Sequence, residues 1–201
     1  MASIARISLT VLLLVCAAAL LVAHPPRWLS AHVDAARAGA DPWREYLAPE
    51  SVCPGRSRTD LAVVAQDQVM VCLLSYARAR EGLPALPVVY PLNRSSVLKA
   101  MDIARCSDFS HTACGKPFPS VFAEAGYHGD TATAEGENIA WGTAAAGSPL
   151  IVVSGWLNSP HHRENLFSTE WREQGVALVQ ANDFLGAARA QIWVNEFGAR
   201  S

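Results

Sequence analysis

Apolar and polar positions divide the chain into three stretches of different character. Behind Arg6, Ile7 to Ala23 is an almost uninterrupted apolar run that ends in the small-residue context Leu21-Val22-Ala23. A membrane-spanning helix needs about 20 apolar residues, and this run is slightly short of that. Residues 1–23 therefore read as an export signal cut after Ala23, with an uncleaved N-terminal anchor as the alternative. Leu13-Leu14-Val15-Cys16 has the outline of a lipoprotein box, but Val15 is bulky where a small residue is expected. Residues 24–59 sustain no apolar period and are interrupted by Pro25, Pro26, Pro42, Pro49 and Pro54, which makes them an arm or linker with room for a short helix from Pro42 to Leu47.

Residues 60–201 carry the periodic patterns of a folded domain. Asp60 reads as the N-cap of a first helix, since Leu61, Val64, Val69, Leu73, Leu74 and Ala77 recur at helical spacing up to Gly82. Leu83 to Pro87 breaks it, and Asn93 is expected to cap a second helix with Val97, Leu98, Met101, Ile103 and Ala104 as its apolar side. A short helix is expected from Val121 to Ala125, a strand from Glu137 to Gly142 and a helix from Pro149 to Asn158. The last two runs, Gln174 to Gln180 and Arg189 to Phe197, have the pattern of an antiparallel hairpin. Helices flanking a small, mostly antiparallel sheet make an α+β domain, an α-β-α sandwich.

Composition narrows the partners more than the chemistry. With 201 residues, a formal charge of -2 and no run of Lys or Arg, the chain has no electrostatic footprint for nucleic acid, and no means of holding a membrane apart from residues 7–23. Four cysteines follow the apolar run, and an even number in an exported chain favours disulfides, with three connectivities open. Cys53–Cys72 and Cys106–Cys114 is the favoured pairing; it staples the arm to the first helix and closes a loop around His111, each bridge contributing about 2–4 kcal/mol in the chain-entropy picture.

Three stretches carry candidate chemistry: Phe109-Ser110-His111, Gly136-Glu137-Asn138-Ile139-Ala140-Trp141-Gly142, and Trp156-Leu157-Asn158-Ser159-Pro160-His161-His162-Arg163-Glu164-Asn165-Leu166. Together with Trp193 to Gly198 they resemble, in order and separation, the signatures of CAP domains, the superfamily of cysteine-rich secretory, antigen 5 and pathogenesis-related-1 proteins, in a bacterial-type form. The resemblance implies the CAP fold and a cavity lined by two histidines and two acids that binds a divalent cation in some members. Carried onto this chain, His111 and His162 are the metal-ligand candidates, Glu137 is the acid of the Gly-Glu-Asn signature, and Ser159 stands where many eukaryotic members have the second acid.

The residues themselves support more than one reading of this set. Ser159-Pro160 is a good cap and first-position pair for a helical turn, which places His162 at N3, where the helix dipole disfavours imidazolium. By strand parity Glu137 shares a face with Ile139 and Trp141, so burial of those residues buries its carboxylate. Two neutral histidines, a carboxylate and water suit a weak Zn²⁺ site. A non-catalytic exported module, secreted or held at the outer face of the membrane, that binds a cell-envelope or extracellular ligand, lipid included, is the first expectation. The alternative is a hydrolase using the His, Glu and Ser of the cavity, although no Gly-x-Ser-x-Gly elbow or His-Glu-x-x-His helix is present. A purely structural polar network is the third reading.

Overall fold

The computed structural model describes residues 41–127 and 132–200. The export-signal reading of residues 1–23 and the first part of the arm lie outside the described residues. After a 3-10 turn at Arg44–Tyr46 come α1 (Val63–Arg80), α2 (Tyr90–Cys106), a second turn at Ala113–Gly115, α3 (Ser120–Ala125), β1 (Ala132–Gly142), a turn at Ala144–Gly147, α4 (Pro149–Asn158), α5 (Pro160–Phe167), β2 (Glu173–Ala181) and β3 (Ala190–Arg200). Among the described residues no helix is long and apolar enough to cross a membrane.

The sheet is antiparallel with order β1-β3-β2, so the last strand is central. β3 is buried on both faces along nearly its whole length, with Gln191, Asn195 and Glu196 buried among its apolar residues. Trp193 and Phe197 join Val176 and Leu178 in the core under α1 and α4, with Leu73, Leu74, Val153 and Trp156. Ile192 and Val194 face the other way with Ile139, against Ala100 and Ile103 of α2. Helices thus cover both faces, which is the expected α-β-α sandwich.

Two expected caps are displaced. Asp60 lies outside α1, which begins after Ala62; its carboxylate is held by Arg58 at 2.8 and 2.9 Å, while the buried Gln66 donates its amide to the carbonyls of Thr59 and Leu61. Asn93 lies inside α2 rather than before it, because Pro91 suits the first turn and starts the helix at Tyr90. Its Oδ1 instead accepts the Val176 N–H of β2 at 2.9 Å.

The described part of the arm is docked on the domain. Trp43 packs against Tyr46 and Phe167, the Arg163 guanidinium lies 4.6 Å from the Trp43 ring centre, and Cys53 is bonded to Cys72 of α1. The second disulfide joins Cys106 to Cys114.

Where α2 crosses β2, Gly175 lies directly against the Leu92 carbonyl group, which a Cβ would overlap. Gly175→Ala is expected to destabilise the fold by about 1–3 kcal/mol, because rigid backbone must move to admit the methyl. Urea unfolding measures it, with the far-UV spectrum unchanged at low denaturant.

Candidate functional site

The site begins with an electrostatic conflict inside the sheet. Glu137 of β1 and Glu196 of β3 are direct cross-strand partners, and both are buried on the α2 face. Two carboxylates so placed repel each other, and each lacks water. Lys99 of α2, itself buried, sets its Nζ 3.6 Å from Glu137 Oε2 and donates to the His111 carbonyl at 2.5 Å. Burial first, and then Glu137, push the Glu196 carboxyl well above the usual range. That shift favours the protonated form of Glu196 beside Glu137, and Ser95 Oγ lies 3.5 Å from Glu196 Oε1. Counted with one ammonium and one carboxylate, the cluster is neutral.

His111 reaches this cluster from the loop between Cys106 and Cys114, its Nδ1 2.6 Å from Glu137 Oε1. A carboxylate can only accept, so Nδ1–H donates, and in the neutral ring Nε2 is left as an acceptor. The ring is half exposed.

The second histidine comes from α5. Ser159 occupies the N-cap position, yet its hydroxyl makes no capping bond; Oγ is 2.8 Å from His162 Nδ1 instead. Burial, then the charges of His111 and His161, lower His162 from the ordinary 6.5 to about 4, so it is neutral at pH 7. The dipole argument predicts the same neutral state, but burial is the larger cause. His161 is almost fully exposed, 3.7 Å from Glu164.

The remaining motif residues tie the segment that carries His162 to the sheet. Asn138 donates to the His162 carbonyl at 3.0 Å, and Asn165 donates to the Glu137 carbonyl at 3.1 Å and to Asn138 Oδ1 at 2.9 Å. Trp171 Nε1 donates to the Asn165 carbonyl at 2.9 Å, and its ring lies where a Cβ on Gly136 would stand. Trp156 packs in the core and donates to the Ile139 carbonyl at 3.1 Å. The Gly-Glu-Asn stretch and the Trp156 motif are thus one hydrogen-bonded unit.

Sequence reasoning missed Lys99, Ser95 and Glu196. A lysine in the middle of a helix carries no local sign of burial, and Glu196 becomes relevant only through the pairing of β1 with β3. That pairing joins segments far apart in the chain, and no turn connects them.

A divalent cation would meet a short donor set here. Glu137 already has His111 on one oxygen and the Lys99 ammonium beside the other, and among the described residues no three His, Cys, Asp or Glu side chains converge as metal ligands.

The chain is 30% identical over 138 residues to YkwD of Bacillus subtilis, described as an uncharacterized protein, an alignment that covers 68% of this chain and 48% of that one. The chain thus spans about half the length of the curated relative it matches. Among solved structures, an extracellular protein containing an SCP domain from Bacillus anthracis superposes with a TM-score of 0.56 at 23% identity, covering 68% of this chain and 41% of that one. An outer surface protein of Borrelia burgdorferi gives a TM-score of 0.55 at 22% identity, with 67% and 92% covered. A cysteine-rich secretory protein of Staphylococcus aureus gives 0.53 at 14% identity, with 70% and 40% covered. No family model matches the chain.

Lys99→Met is expected to cost about 3–5 kcal/mol, because it leaves buried Glu137 without its cation. Adding Glu137→Gln should recover part of that loss in urea unfolding. His162 titrates in the opposite sense to a paired histidine. Its folded value of about 4 lies below the ordinary 6.5, so its contribution to stability is complete above about pH 6.5 and is lost as the pH falls toward 4. The stability difference between wild type and His162→Gln should narrow over that window, as followed by melting curves at fixed ionic strength.

Proposed function

We propose that the chain is a bacterial-type member of the CAP superfamily, whose fold it shares with solved SCP-domain and cysteine-rich secretory structures, and that it is an exported binding module whose cleft holds its ligand without turning it over. Export is supported by the two disulfides, which persist in oxidising compartments, and by relatives described as extracellular, outer-surface and secretory. The ligand is a component of the cell envelope or the extracellular space, recognised by hydrogen bonds at His111, Ser159 and His162 above the buried Glu137.

One observation carries the non-catalytic reading: the groups that catalysis would need are already committed. The one serine–histidine pair of the cleft ends on an imidazole lowered to about 4, too weak a base to activate a hydroxyl well at neutral pH. Glu137, which could orient or replace that base, is held by His111 and Lys99. The cleft therefore presents hydrogen-bonding groups, not an activated nucleophile.

A hydrolase is the second reading, favoured by the 2.8 Å contact between Ser159 Oγ and His162 Nδ1. Zn²⁺ would bind weakly and through His111 and His162 alone. Three measurements on one set of proteins separate these readings. Wild type should co-sediment with cell-envelope material and His111→Ala/His162→Ala should not, with both proteins melting cooperatively. Release of nitrophenol from acyl esters should equal that of Ser159→Ala; turnover that vanishes in Ser159→Ala would establish the hydrolase. Calorimetry should give a Zn²⁺ dissociation constant no tighter than about 100 μM, roughly 5.5 kcal/mol by the affinity scale, and a tighter constant lost in the double variant would make the metal integral to the cleft.

A further inference from the structure

At the open edge of the sheet, away from the histidine cleft, a hollow of about 360 Å³ lies between α1 and β2. Val64 and Val71 of α1, Val88 of the following connection and Val176 of β2 wall it, with Asp67 and Gln68 of α1 and Asn93 of α2 as polar members. Val64 is 67% exposed and Val88 44%, so apolar surface faces solvent at its rim. The edge of β2 does not invite strand addition here. The N–H groups of Gln174, Val176 and Leu178 are already directed to the Pro87 carbonyl, Asn93 Oδ1 and the Asp67 carboxylate. What the hollow offers is side-chain chemistry.

Asp67 is partly buried and, unlike Glu137, Asp102 and Glu173, has no ion pair among the described residues. Glu137 has Lys99, Asp102 has Arg105 and Lys116, and Glu173 has Arg200, whereas among the described residues no cation is paired with Asp67 and no other titratable side chain lines the hollow. Its Oδ1 is buried without a hydrogen-bond partner. Burial raises the carboxyl to about 7, against the smaller opposing pull of the Leu178 N–H. A desolvated carboxylate with no counter-charge is costly, and a cation that reaches it relieves that cost. Valine walls add a second requirement, an aliphatic stem behind the charge.

We propose that this hollow binds a primary alkylammonium group, with the ammonium on Asp67 and a stem of four or five carbons against Val64, Val71, Val88 and Val176. A lysine side chain and a free alkylamine share that chemistry. A neutral alcohol of the same shape lacks the charge, and an anion is repelled.

The test is a titration of the isotope-labelled protein with n-pentylamine, N-acetyl-lysine methylamide and 1-pentanol, followed by backbone and valine methyl shifts. Pentylamine should perturb Val64, Val71, Val88 and Val176 with saturation, about tenfold more tightly at pH 8 than at pH 6, as ionisation of Asp67 requires. Its affinity should fall at least tenfold in Asp67→Asn, which keeps the shape of the side chain. The carboxyl carbon of Asp67 should titrate at lower pH with saturating amine than without, a readout that needs no variant. Lysine methylamide binding as tightly as pentylamine assigns the site to a lysine side chain, and markedly weaker binding assigns it to a free amine. Pentanol binding as well as pentylamine, unchanged affinity in Asp67→Asn, or an Asp67 titration indifferent to the amine overturns the proposal.

Discussion

Glu137 and Glu196 face each other across adjacent strands on a buried side of the sheet, and the arrangement of the site follows from balancing the charge of that pair with Lys99. One carboxyl favours its protonated form because burial and its neighbour disfavour a second negative charge. The other is matched by Lys99, whose ammonium also anchors the His111 carbonyl. Helix α2, the two strands and the disulfide-closed loop are therefore joined at one point. A change to any member alters the charge balance of the rest.

The second half of the cleft is held in a different way, by amides rather than charges. Asn138 and Asn165 clasp α5 to β1, and Trp171 fixes Asn165 from below. On the outer side of α5, Arg163 donates to the Leu157 carbonyl and its guanidinium stacks on Trp43 of the arm. The arm is thus coupled to the helix that carries His162. The two networks meet at Glu137, whose carboxylate holds His111 and whose carbonyl accepts from Asn165 of α5.

Much of this was legible before folding. The apolar periods marked the helices, with α4 at Pro149–Asn158 matching its expected bounds, and the parity of Glu137 with Ile139 placed its carboxylate in the interior. The motif residues supplied His111, His162 and Ser159. Asp60 and Asn93 misled because a short polar side chain before an apolar run has the pattern of a cap whatever it finally binds. Asp60 took Arg58, and Asn93 took a strand N–H.

What the sequence by itself determined is the set of elements, the two-sided covering of the sheet by helices and the motif residues His111, Glu137, Ser159 and His162, because these depend on local periodicity and residue type. Only the tertiary structure decided that Glu196 stands opposite Glu137, that Lys99 supplies the buried cation, and that the Ser159 hydroxyl turns to His162 instead of the helix backbone. Each of those outcomes is settled by register and packing between segments distant in the chain. Charge balance in a buried site is a property of everything that meets there, and no single stretch of sequence contains it.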